Sequence, residues 1–164
     1  MIRFGFMKYW HLLPMIIMAA KIDISKLLSQ ISAFGHDANR SAVSVTNDIA
    51  QGMVTAAQLR AVVGLSGQLR LSIGKTLATI NANRSIFFSN APYSAYVEFG
   101  TGSGVNIPKG FSYLAAPYKG KGIRRRDYGP KPFFIPSYLE GIQQYPKTLR
   151  KVLEVETRKY NAKK

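Results

Sequence analysis

Cysteine is absent, histidine occurs twice, and carboxylates are scarce. Without cysteine the chain has no disulfide, no thiolate nucleophile and no Cys-based zinc site. His11 and His36 form no HxxxH or HExxH spacing, so no pattern points to a transition-metal site or to a resident cofactor. Eight Asp and Glu stand against 23 Lys and Arg, a formal net charge of +15. A membrane span is missing as well: the apolar run from Leu12 to Ala20 is interrupted by Pro14 and falls far short of the ~20 residues a span needs.

What is present suffices for one domain. The 164 residues are 46% apolar and include nine Phe and nine Tyr, and a domain of that length buries ~70% of its unfolded surface. The positive field favours polyanions or acidic protein surfaces and says nothing about fold. It is uneven: residues 1–100 carry nine basic and four acidic groups, net +5, whereas residues 101–164 carry fourteen and four, net +10. A charged partner surface is therefore expected mostly in the C-terminal part.

The N-terminus, with Arg3 and Lys8 ahead of an apolar run and small residues, has the outline of a secretory signal. Pro14 inside the run, with Trp10 and His11 beside it, argues against one. The expectation is an apolar arm over 1–21 packing on a neighbour, or a start upstream of a working N-terminus at Met15 or Met18. A single α+β domain is expected over 22–160, with a frayed tail at 161–164.

From Asp23, the residues Ile24, Leu27, Leu28 and Ile31 fall at helical spacing, with Gly35 read as a C-cap. Asp37 is read as the cap of a second helix, whose positions Val45, Ile49, Met53, Ala56, Leu59 and Val63 recur every three or four residues until Gly64. Gly52 costs that helix up to ~1 kcal/mol against Ala, for which close helix approach is the plain reason. Alternation of Leu69, Leu71 and Ile73 predicts a strand, repeated over Thr76–Ile80. A turn at Asn81-Ala82-Asn83 and a return strand over Ser85–Ser89 complete a hairpin. Tyr93–Phe99 is too short for periodicity to choose between helix and strand.

Residues 101–132 read as a long loop. Seven glycines and four prolines fall within 100–132, leaving Phe111–Ala116 as a possible strand. A connection of this length is usually functional or disordered. After Pro136 a helix is expected, with Leu139, Ile142, Leu149, Val152 and Leu153 as its apolar stripe and Lys147, Arg150, Lys151, Arg158 and Lys159 as a basic face. Pro146 should kink or restart it.

Three features invite chemistry. Gly100-Thr101-Gly102-Ser103-Gly104 lacks the Gly-Lys-Ser/Thr ending of a phosphate loop and reads as a flexible turn. Lys119, Lys121, Arg124, Arg125 and Arg126 form a basic cluster flanked by Tyr118 and Tyr128. It is suited to non-specific phosphate contact by counterion release, or to docking on an acidic neighbour. Glu98 is the sole acidic residue between Asp48 and Asp127. With no histidine, second carboxylate or nucleophile to work with, it reads as a structural hydrogen-bond acceptor or an ion-pair partner of Arg70 or Arg84, not as a general base. No catalytic constellation is present in the sequence.

Three segments stand in a familiar order. Ser66-Gly67-Gln68-Leu69-Arg70-Leu71-Ser72-Ile73 is similar to a TGxLxxSI element. Tyr93-Ser94-Ala95-Tyr96-Val97-Glu98-Phe99-Gly100-Thr101 is similar to YAxxVEFGT, and Pro132-Phe133-Phe134-Ile135-Pro136 to PFLRPA. Together they resemble the neck and tail-completion family of long-tailed bacteriophages, across roughly residues 60–155. Tyr96, Glu98, Phe99, Gly100, Thr101, Pro132, Phe133 and Pro136 carry the match. Ser137 departs from it where the family has a small alanine, and the basic insertion is longer than its pattern.

The resemblance implies an α+β subunit with N-terminal helices, a small antiparallel sheet and a long C-terminal helix. It implies a homo-oligomeric ring, six-fold or twelve-fold, in the virion neck, assembled in the bacterial host cytoplasm. Its neighbours would be head-completion or connector proteins and tail-terminator or tail-tube proteins, with packaged double-stranded DNA in the channel. No membrane, enzyme activity or cofactor is implied. The rival reading, a free non-specific nucleic-acid-binding protein, rests on charge alone. A small hydrolase using Glu98 is a third.

Overall fold

The computed structural model describes residues 18–23, 35–64, 67–115 and 128–162. In chain order they form strand β1 (Met18–Asp23), helix α1 (His36–Arg60), short helix α2 (Gln68–Leu71), and strands β2 (Ile73–Lys75) and β3 (Arg84–Ser89). Short helices α3 (Ser94–Phe99) and α4 (Ser112–Ala115) follow, then the long helix α5 (Phe134–Ala162). The fold is α+β, as expected. The apolar stretch 24–31, residues 1–17 and the basic cluster 119–126 lie outside the described residues.

β3 is the centre of a three-stranded antiparallel sheet, ordered β1-β3-β2. β1 pairs from Met18↔Ser89 to Asp23↔Arg84, and β2 from Ile73↔Ser89 to Lys75↔Phe87. β1 thus crosses the line drawn at residue 21 between arm and domain, and Asp23 closes the strand. Along β3, Ser85, Phe87 and Ser89 are buried, the alternation of a strand with one face on a core.

Phe87 stacks on Phe134 of α5 with ring centroids 4.1 Å apart and planes 7° from parallel. Phe133 meets Phe134 edge-on at 6.3 Å. α1 and α5 pack along one another in opposite directions. Arg60, at the end of α1, reaches Ser137 Oγ (2.8 Å) and Glu140 near the start of α5, whereas Thr46 meets the Tyr145 hydroxyl at 3.3 Å. Val45, Ile49, Met53 and Ala57 form the buried side of α1, as their spacing predicts.

The close approach between these helices is made by Gly141, not Gly52. A Cβ on Gly141 would lie 2.2 Å from Met53 Cε, while one on Gly52 would meet nothing within 4 Å, because Gly52 faces outward. Leu139 and Ile142 belong to the outer side of α5. Its inner side runs through Phe134, Ser137, Gly141 and Leu149, with Tyr138, Tyr145 and Val152 packed alongside.

Other expectations are corrected. Gly35 occupies the N-cap position of α1, Asp37 lies in the first turn, and the helix ends at Arg60, before Val63 and Gly64. The alternation at 69, 71 and 73 hides a helical turn: Leu69 and Ile73 are buried four residues apart, while Leu71 is 84% exposed. No strand forms over 76–80, because Asn47 takes the partner's place. Its Oδ1 accepts from Ala78 N at 2.8 Å and its Nδ2 donates to Ala78 O at 3.0 Å. Residues 112–115 are helical, not extended, with Ala115 turned into a small cluster. Pro146 does not restart α5, which continues to Ala162 with the proline on its exposed side.

Gly52→Ala should stabilise the chain in dilute solution by up to about 1 kcal/mol. Gly141→Ala should destabilise it by about 1–3 kcal/mol through overpacking against Met53. Urea unfolding of the two variants beside wild type checks both signs.

Candidate functional site

The segments 94–101 and 128–136 meet at Glu98. α5 begins inside the core, so its first backbone N–H groups have no water to turn to. Glu98 supplies the acceptors: Oε2 accepts from Phe133 N (2.7 Å) and Phe134 N (2.9 Å), and Oε1 accepts from Ile135 N (3.0 Å). The fourth donor of the first turn would belong to Pro136, which has none. All four positions are thereby accounted for by one carboxylate and one proline. The positive end of the α5 dipole adds to the attraction.

This settles how the C-terminal helix is anchored. Phe133 and Phe134 are fully buried, and the helix starts at Phe134 rather than after Pro136. The hydrogen bonds of Glu98 go to backbone, and neither Arg70 nor Arg84 takes part. Ser137 donates to Phe133 O at 2.7 Å and accepts from Arg60, so its hydroxyl ties α1 to the same turn.

Backbone bonds extend the junction on both sides. Lys131 N donates to Val97 O (2.8 Å), Thr101 N to Tyr128 O (2.9 Å), and Tyr128 N to Thr101 Oγ1 (3.0 Å). Gly100 lies where the strands of this crossing touch. Its φ is +82°, and a Cβ there would fall 2.7 Å from Tyr128 O and 2.8 Å from Gly104 O. Ala95, Phe99, Ala115 and Ile135 pack into a small apolar cluster beneath. The glycine-rich run is a turn with a 3-10 segment at Gly102–Gly104, held by Gly104 N donating to Thr101 O.

Burial pushes the Glu98 carboxyl above its ordinary value, and the three N–H donors pull it down by less than burial raises it. With both oxygens committed to N–H groups and the side chain 2% exposed, Glu98 has neither a reacting partner nor access to one. Among the described residues no group of His, Asp and Glu is placed to hold a metal ion. Tyr96 is half-buried and Pro132 exposed, so neither closes a cavity around Glu98. A shallow apolar groove of about 590 Å³ on the C-terminal half of α5, along Tyr145, Leu149 and Leu153, has Arg150, Glu154 and Arg158 at its rim. It brings together no nucleophile and base.

Of the sequence-predicted residues, Glu98, Phe99, Gly100, Thr101 and Phe133 are brought together in one junction. Lys119, Lys121, Arg124, Arg125 and Arg126 fall outside the described residues, but their segment is pinned at both ends, by Ala115 in the small cluster and Tyr128 on Thr101. Sequence reading missed that the Glu98 partners are backbone groups, which no side-chain pattern marks. The available signal was Pro136, because proline belongs to the first turn of a helix and places the start before itself. No described helix is long and apolar enough to cross a membrane. No protein-family model, curated protein or solved structure matches the chain.

Glu98→Ala would leave three buried N–H groups without acceptors and should cost at least about 3 kcal/mol in urea unfolding. Glu98→Gln keeps the shape but turns an amide donor towards an N–H and should cost less. An acid whose folded pKa is raised keeps its proton to higher pH when folded than when unfolded. Its contribution is therefore present at low pH and declines as pH rises through the ordinary value of 4.5 and on to the raised one. The unfolding free energy of wild type minus that of Glu98→Gln should fall as pH rises through and above 4.5. A rise over that range would contradict the assigned cause.

Gly100→Ala should destabilise the chain by more than about 1 kcal/mol, since it adds left-handed strain to a backbone collision. Thermal unfolding of that variant is the check.

Proposed function

We propose that this chain is a structural subunit of the bacteriophage neck, a ring protein joining the DNA-filled head to the tail around the DNA channel. The observation that carries the reading is the Glu98 junction. The two segments most like the family's motifs, Tyr93–Thr101 and Pro132–Pro136, hold one another through a buried carboxylate on three backbone donors. The carboxylate of Glu98 is committed to positioning a helix, which supports a structural role.

The basic loop has a part in this reading. The sequence just before the Thr101–Tyr128 pair carries Lys119, Lys121, Arg124, Arg125 and Arg126, five cationic side chains within eight residues. In a ring it would face the DNA in the lumen or an acidic neighbour, and phosphate contact there would be independent of sequence. The net charge of +15 also supports the rival, a free DNA-binding protein.

Electron microscopy of the purified protein should show rings with a central channel. The monomer should bind duplex DNA weakly, with an affinity that falls steeply in salt. Tight binding by a monomer that never forms rings would favour the rival. Neutralising Arg124, Arg125 and Arg126 together should leave the chain folded while reducing head–tail joining or DNA retention. Normal, DNA-filled, tailed particles from that variant would contradict the role given to the loop.

A further inference from the structure

We propose that the outer face of the C-terminal half of α1, centred on Gly52 and Leu59, is a surface on which a second copy of this chain packs. The inference rests on the ring reading above and names the surface that such an assembly would use.

Four exposed positions mark the outward stripe of α1 from its middle to its end: Gln51, Gly52, Thr55 and Leu59. Val62 and Val63 continue it beyond the helix. Leu59 is 74% exposed, Val63 60%, and Leu71, on the short helix that Gln58 ties to α1, 84%. Upstream the same stripe has the look of an ordinary solvated face, with Asp37, Arg40, Ser44 and Asp48. Between Asp48 and Arg60 helix α1 carries no charged residue at all. The Arg60 guanidinium itself is turned to Glu140 and Ser137 on the α5 side. Arg70, on α2, is half-buried.

Gly52 is the independent observation. A glycine in the middle of a 25-residue helix costs about 1 kcal/mol against alanine. Nothing among the described residues accounts for that cost, since a Cβ there would meet none of them within 4 Å. A helix lacking a side chain at an outward position lets another backbone approach closely at that point, as Gly141 does for Met53 inside the subunit.

Charge selects the occupant. Copies that each carry +15 repel, and like charges brought together at an interface cost several kcal/mol. Such a chain can pack on itself only where it presents no charge, and this stretch of α1 meets that condition while exposing leucine and valine. An acidic partner would find no cation on α1 between Asp48 and Arg60 to pair with.

The test is sedimentation of the full chain over a concentration series, for wild type, Gly52→Leu, Leu59→Asp and Ser44→Leu, with thermal unfolding of each in dilute solution. Wild type should assemble. Gly52→Leu, which blocks close approach while improving helix propensity, and Leu59→Asp should remain folded and weaken assembly at least about tenfold. Ser44→Leu, on the charged half of the stripe, should assemble as wild type does. Unchanged assembly of folded Gly52→Leu and Leu59→Asp would overturn the surface and leave the ring reading standing. A wild-type chain that stays monomeric throughout would overturn both.

Discussion

A long helix that starts inside a core has a particular difficulty: its first N–H groups point into protein, where an unpaired donor costs about 1–3 kcal/mol. Here the remedy is the Glu98 carboxylate, placed by α3 so that its two oxygens reach Phe133, Phe134 and Ile135 together. The rest of the subunit follows from that anchor. Phe134 is held where it stacks on Phe87 of the central strand, and Ser137 where Arg60 reaches it from α1. Gly141 then comes into register with Met53. Sheet, α1 and α5 thus share one core, fixed at the end where the junction sits.

The junction also determines how the loop leaves and returns. Gly100 adopts a positive φ so that the chain can pass within contact distance of Tyr128 and Gly104. Thr101 and Tyr128 then bond reciprocally across the base of the insertion. In the functional proposal the junction builds the subunit, while the basic residues of 119–126 and the outer face of α1 meet other molecules.

Much of this was legible in the sequence where a residue's own side chain decided the outcome. Val45, Ile49 and Met53 announced the buried side of α1. The return strand β3 could be read from the turn before it and its own residues, whereas the first arm lies at Ile73–Lys75 and not where the alternation put it. Legibility failed where a distant partner decided. Asn47 replaces a strand partner at Ala78, so a β-like pattern over 76–80 forms no strand. Leu71 alternates with Leu69 and Ile73 but faces solvent. Gly52 and Gly141 look equivalent in sequence, and only the packing of α5 on α1 shows which one the subunit needs. Glu98 was recognisable as structural from the absence of partners, yet its partners are peptide groups, which carry no sequence signature.

The central claim is that one buried carboxylate holds the start of α5. Amide hydrogen exchange at Phe133, Phe134 and Ile135 tests it most directly, in wild type and in Glu98→Ala. The account predicts protection in wild type comparable to that of the interior amides of α1, lost selectively at these three residues in the variant. Rapid exchange of the three amides in the folded wild type, or equal protection in the variant, would contradict it.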